Sequence, residues 1–166
     1  MLNSIYAMNL SSVVLLMFIF VVGWGCAAAL TKKKELWRGV NFILAVLALL
    51  VIIYMTLLNR EPGERQLNLI PFASLVNRNP EVIRAMTMNI FLFFPFGLTF
   101  SSSLTKRLPA AVRIVITVAI GFFLSLSVEF LQYRYALGVA ETDDVLCNTL
   151  GAFIGGLTVI ISEKLS

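Results

Sequence analysis

The sequence predicts an all-α integral membrane protein, a bundle of about five transmembrane helices. Three observations carry that expectation. The 166 residues are 59% hydrophobic, against roughly 45–50% for a soluble domain. Only 13% are charged, and mean hydropathy is +0.91. The apolar residues form runs close to the about 20 residues that a bilayer crossing needs, and most of the charges fall between the runs. A single domain over residues 1–166 is expected.

The first span is expected over about residues 9–30. No Lys or Arg precedes it, so the basic flank of a cleaved secretion signal is missing and the run is expected to stay as an anchor. Lys32, Lys33, Lys34 and Arg38 follow. The second span is expected over about 39–58, with Trp37 as an interface anchor. A loop of some 25 residues comes next, carrying turn signals at Pro62-Gly63 and Asn79-Pro80. Its middle, Leu67 to Phe72, is too short to cross a bilayer and too apolar to float free. It is expected at the interface or folded back on the bundle. The third span, about 85–104, should bend at Pro95 and Gly97. The fourth, about 109–131, carries Arg113 one turn inside, placed to snorkel. The fifth, about 145–161, is expected to be the shortest.

Charge gives the orientation. If Lys32–Arg38 is cytoplasmic, five spans place eight of the thirteen Lys/Arg inside, including all five lysines. Arg60, Arg65, Arg78, Arg84 and Arg134 fall outside. Most of the acidic residues lean outward, and Tyr6, Tyr133 and Tyr135 sit at the outer interface. The positive-inside rule therefore predicts N-out/C-in, with the loop between helices 2 and 3 outside. The net charge of +4 reads as topology. No run of aromatics interleaved with Arg suggests a nucleic-acid surface. With no histidine and no CxxC pair, His-containing zinc sites and Ser-His or Cys-His nucleophile pairs are excluded within the chain. Cys26 and Cys147 are expected to pack as small hydrophobes.

Residues 129–156 hold the polar groups that need explaining. Gly121, Ser125, Glu129 and Gln132 recur at steps of four, four and three, so they share one helix face. Asp144, Asn148, Gly151 and Gly155 do the same on the next helix, the glycines allowing close approach. In the expected topology Glu129, Gln132, Asp143, Asp144 and Asn148 meet Asn89 and Arg84 just below the outer surface. An intramembrane carboxylate is a functional candidate by default. Each residue also has a structural reading. Asp143 or Asp144 would cap the fifth helix, Asn148 would hydrogen-bond a neighbouring helix, and Gln132 would be an ordinary interfacial residue. Glu129 would pair with Arg84 or Arg134. Asn89 and Pro95 would only shape the third helix.

Four stretches together resemble the VanZ-like family of bacterial membrane proteins. Asn68-Leu69-Ile70-Pro71-Phe72 is similar to its N-L-x-P-F stretch, and residues 89–97 to its N-x-x-x-F-x-P-x-G helix. Glu129 and Gln132 match its E-x-x-Q signature. Asp143, Asp144, Asn148 and Gly151 match D-D-x-x-x-N-x-x-G. The motif-bearing region is 68–156. The family often has an Arg shortly before the paired acids; here residues 138–141 lack one, and the nearest is Arg134. The resemblance implies a multi-pass protein of the bacterial cytoplasmic membrane. It also implies a link to resistance against teicoplanin, a lipoglycopeptide that acts outside the cell on peptidoglycan precursors.

Three functions remain open at this point. The first is a binding module for a lipid headgroup, a lipid-linked cell-wall precursor or the antibiotic, with Arg60, Arg65, Arg78 and Arg84 meeting phosphate. The second is a membrane-surface enzyme. There Glu129, Asp143 and Asp144 with Asn148 would hold Mg²⁺ or Ca²⁺, or would supply a general acid and base. That divalent cation is the only cofactor either reading admits, and no nucleophile stands out. The third is a structural protein whose polar residues only pack helices.

Overall fold

The computed structural model of the protein describes residues 10–31, 33–72 and 80–165. Tyr6, Lys32, Arg78 and the turn at Asn79 lie outside the described residues. Among the described residues are five α-helices: α1 (Leu10–Leu30), α2 (Lys34–Ile53), α3 (Pro80–Ser103), α4 (Ala110–Tyr135) and α5 (Thr142–Leu165). α2 runs on through a π-helical turn, Tyr54–Leu58. The stretches Lys34–Leu58, Glu81–Ser103, Ala110–Tyr135 and Thr142–Lys164 are long and apolar enough to cross a membrane.

Two short strands add to the all-helical expectation. β1 (Gln66–Asn68) lies in the loop between α2 and α3, and β2 (Val139–Glu141) in the link between α4 and α5. They pair in parallel, Asn68 opposite Glu141. The loop therefore folds back onto the bundle through backbone hydrogen bonds. Just before β1, the Gly63 amide donates to the Ala136 carbonyl at 2.6 Å.

The fifth helix is not the shortest. It has 24 residues against 21 in α1, because Thr142, Asp143 and Asp144 form its first turn and Ser162 to Leu165 its last. α3 is continuous through Pro95, where the Thr99 hydroxyl donates to the Pro95 carbonyl at 2.7 Å.

α3 and α5 make the most extensive helix contact, and glycine permits it. A Cβ on Gly151 would run into the Ile90 carbonyl oxygen, one on Gly155 into the Phe94 carbonyl, and one on Gly97 into the Ala152 carbonyl. Gly97 thus serves close approach. On α4, a Cβ on Gly121 would meet the Ala152 side chain. α1 is tied in where Trp24 Nε1 donates to Asn41 Oδ1 at 2.8 Å. Trp24 packs with Phe94, Leu98 and Val159, and Trp37 joins that cluster.

α4 is polar on the inside and apolar on the outside. Arg113, Thr117, Gly121, Ser125, Glu129 and Gln132 are buried, while Val115, Phe123 and Phe130 are exposed. In water that arrangement would be unstable. In hydrocarbon the exposed side chains are at home and the polar ones need the bundle. Arg113 does not snorkel. It is buried and paired with Glu163 of α5, which Lys106 also reaches at 3.2 Å. Glu163 stands at the depth of the guanidinium, so the charge is met inside the bundle.

Candidate functional site

The polar residues gather where α2 and α4 end and α3 and α5 begin. Glu129 is 6% exposed, and its Oε2 accepts the Glu141 amide at 3.0 Å. One carboxylate of α4 thus fixes the end of β2. Asp144 is half-buried and within electrostatic reach of Glu129; Asn89 of α3 lies within hydrogen-bonding reach of its carboxylate. Three elements converge there.

The positive charge at this site comes from Arg60, just beyond the π turn of α2. It lies within electrostatic reach of both Glu129 and Asp144, and its Nη1 donates to the Leu137 carbonyl at 3.5 Å. Gly138 makes room for it: φ is +136°, and a Cβ there would meet Arg60 Nη1. An arginine from a distant helix therefore approaches the stretch where the sequence lacks one. Neither arginine expected to pair with Glu129 does so among the described residues. Arg134 lies over the Tyr135 ring, and its carbonyl accepts from Arg65. Arg84 Nη2 is buried with no hydrogen-bond partner among the described residues.

Asp143 and Asp144 turn to different tasks. Asp143 is 2% exposed, and its Oδ1 accepts the Phe72 amide at 2.7 Å. Phe72 has φ of 61°, a conformation that bulky residues rarely adopt. Both aspartates sit in the first turn of α5, where the dipole favours an acid. Because Asp143 is drawn to the loop, Glu129, Asp143 and Asp144 do not close into a cation cage. Among the described residues no three His, Cys, Asp or Glu side chains are grouped to hold a metal.

Gln132 is 1% exposed, so it is a core group and not an interfacial one. Its Nε2 donates to the Thr56 carbonyl at 3.0 Å, within the π turn of α2. Asn148 Nδ2 donates to Ser125 Oγ at 2.9 Å, the interhelical bond foreseen as its structural reading. Buried oxygens without partners among the described residues remain at Gln132 Oε1, Asp143 Oδ2 and Asn148 Oδ1.

Glu141 was missed as a site residue. It lies within electrostatic reach of Glu129 and Asp144, and Asn68 Nδ2 donates to its Oε1 at 3.4 Å. Its closeness to the aspartates in sequence was the available signal. Arg60 was foreseen among the arginines of the outer loop, but not its approach to Glu129 and Asp144.

Known proteins bear on the chain as follows. Protein VanZ of Enterococcus faecium is 32% identical over 101 residues, covering 61% of this chain and 56% of that protein. The match thus spans little more than half the length of that relative. No solved structure matches the chain. The model of the family described as VanZ/LLP1 matches residues 42–163, all four long spans in large part and every polar residue of the site, and the chain belongs to that family.

Proposed function

We propose that this protein is a binding module of the bacterial cytoplasmic membrane, whose pocket at Glu129, Asp144, Asn89 and Arg60 faces the cell envelope and takes the polar part of a lipid-linked ligand. The bias of basic residues, eight against five, supports an N-out/C-in arrangement of five spans with this pocket outside. The observation that carries the reading is the charge of the pocket. Glu129, Asp144 and Glu141 interact at one depth, with Arg60 as the cation within reach. Helix packing alone does not require such a set, since carboxylates in hydrocarbon are costly. Glu129 holds the Glu141 amide, Glu141 accepts from Asn68 and Arg60 donates to the Leu137 carbonyl, and uncharged polar side chains would serve for each of these bonds.

The family name supports a part in lowering susceptibility to lipoglycopeptides such as teicoplanin. Strains carrying a deletion or Glu129→Gln are compared for growth in teicoplanin and in vancomycin, which lacks the lipid tail. Both strains are expected to become severalfold more susceptible to teicoplanin while vancomycin susceptibility holds, with Glu129→Gln protein accumulating at the wild-type level. Loss of one hydrogen-bond partner corresponds to about 0.5–1.5 kcal/mol of binding, severalfold in affinity. Wild-type behaviour of the Glu129→Gln strain would remove the pocket from this role.

A further inference from the structure

Beside the polar pocket, α3 and α5 enclose an apolar groove of about 380 Å³, within the roughly 300–1,000 Å³ of small-molecule sites. Met86 and Ile90 form one wall, Leu146, Cys147 and Leu150 the other, and Phe72 closes one end. Chain neighbours join groove and pocket. Asn89, within hydrogen-bonding reach of Asp144, precedes the groove residue Ile90 on α3, and Asp143 precedes Asp144 on α5. Asp143 holds the Phe72 amide, so a carboxylate of the acidic pair fixes a wall of the groove.

The groove's surroundings indicate what enters it. Ile83, Leu146 and Leu150 are exposed to 49%, 41% and 44%. On a membrane-spanning helix pair, such residues meet hydrocarbon. Beyond Ile90 and Leu150, contact of Gly151 and Gly155 with the α3 backbone closes the space between the helices. The groove is therefore a lipid-facing slot, blocked on one side by glycine packing and bordered on another by carboxylates.

We propose that this groove seats one acyl chain of the same molecule whose polar group is held at Glu129 and Asp144, so that the ligand is an acylated amphiphile of the outer leaflet. The proposal rests on the pocket reading above. It explains why the Phe72 loop, the α3–α5 contact and the acidic pair sit together. A polar ligand from water would need the carboxylates and no groove, whereas a bulk lipid would need the groove and no carboxylates. Burial of a chain is favoured when it leaves water, a gain absent between protein and bilayer. Selectivity must therefore come from the head group, and chain occupancy must depend on the pocket.

The probe is a fatty acid carrying a diazirine near its chain end, fed to cells that express the full protein. Membranes are irradiated before extraction, and adducts are mapped on peptides. Adducts are expected to concentrate severalfold on the groove residues of α3 and α5 over Val115 and Phe123 on the outer face of α4. Thr87→Phe and Leu150→Trp, which fill the groove from two walls, are each expected to reduce groove labelling to the α4 level. Glu129→Gln should lower it severalfold with the groove intact. Equal labelling of groove and α4 would overturn the proposal, leaving only annular lipid, while the teicoplanin comparison could still uphold the pocket. Groove labelling unaffected by Glu129→Gln would overturn the claim that chain and polar group belong to one molecule.

Discussion

At Asp143 one oxygen accepts the Phe72 amide, and the other is buried without a partner among the described residues. Removing the acceptor deprives the part-buried amide of its partner, a loss of about 0.5–1.5 kcal/mol. This bond supports the left-handed backbone of Phe72. Asp143→Ala is therefore expected to loosen the loop ahead of α3, and limited trypsin digestion at Arg60 and Arg65 should proceed faster. Asp143→Asn keeps an acceptor and should digest like wild type; equal digestion of all three proteins would refute the assignment. The residue scale was also where the sequence was most legible. Ser125 and Glu129 on α4, and Asp144 and Asn148 on α5, face each other across one seam, Asn148 bonding Ser125 and Asp144 lying within electrostatic reach of Glu129, since i, i+3 and i+4 steps fix a face whatever the packing. The partners of those residues were not legible. Spacing within a helix carries no information on the backbone amide of Glu141, the Thr56 carbonyl or the guanidinium of Arg60.

Among the elements, the α3–α5 contact depends on glycines that are not equivalent. A Cβ on Gly155 would overlap α3 backbone, which cannot yield, whereas the nearest atom to a Cβ on Gly156 is a Thr117 methyl at 3.5 Å. Gly155→Ala is thus expected to lower stability by about 1–3 kcal/mol or more through overpacking, read as a drop in the melting temperature in detergent. Gly156→Ala should leave it nearly unchanged. Equal effects at the two positions would contradict the close approach. Small residues at helical spacing announced this seam in the sequence. The strand pair was hidden, because three residues per strand are too few to show a period of two. Its two halves are also about seventy positions apart, and only the fold brings them together.

Across the whole molecule, the end opposite the pocket is held by charge. Arg113, 4% exposed, meets Glu163 with both terminal nitrogens, and Arg38 Nε donates to the Ser103 carbonyl at 3.3 Å. Breaking a buried pair leaves a bare charge, at a cost of about 3–5 kcal/mol, while replacing both members with apolar groups is often neutral. Glu163→Ala is expected to destabilise the protein in thermal unfolding, and combining Arg113→Leu with Glu163→Leu to recover much of the loss. A double variant as unstable as the single one would show that the pair does not set stability. Reading Arg113 as a snorkelling residue overlooked a simple signal, an acid at the end of the last span that the topology brings to the same depth.

The inverted polarity of α4 bears on how the protein is made. Alone in a bilayer, this helix would show Arg113 and Glu129 to lipid, at about 2.5–3.5 kcal/mol for a charge near the middle and less toward the ends. Of its answering groups, the Thr56 carbonyl and Arg60 precede it, while Glu163, Asn148 and the Glu141 amide are synthesised after it. The bonds to α5 thus suit release of α4 and α5 from the insertion machinery as one hairpin, with β2 in the link between them pairing with the earlier β1.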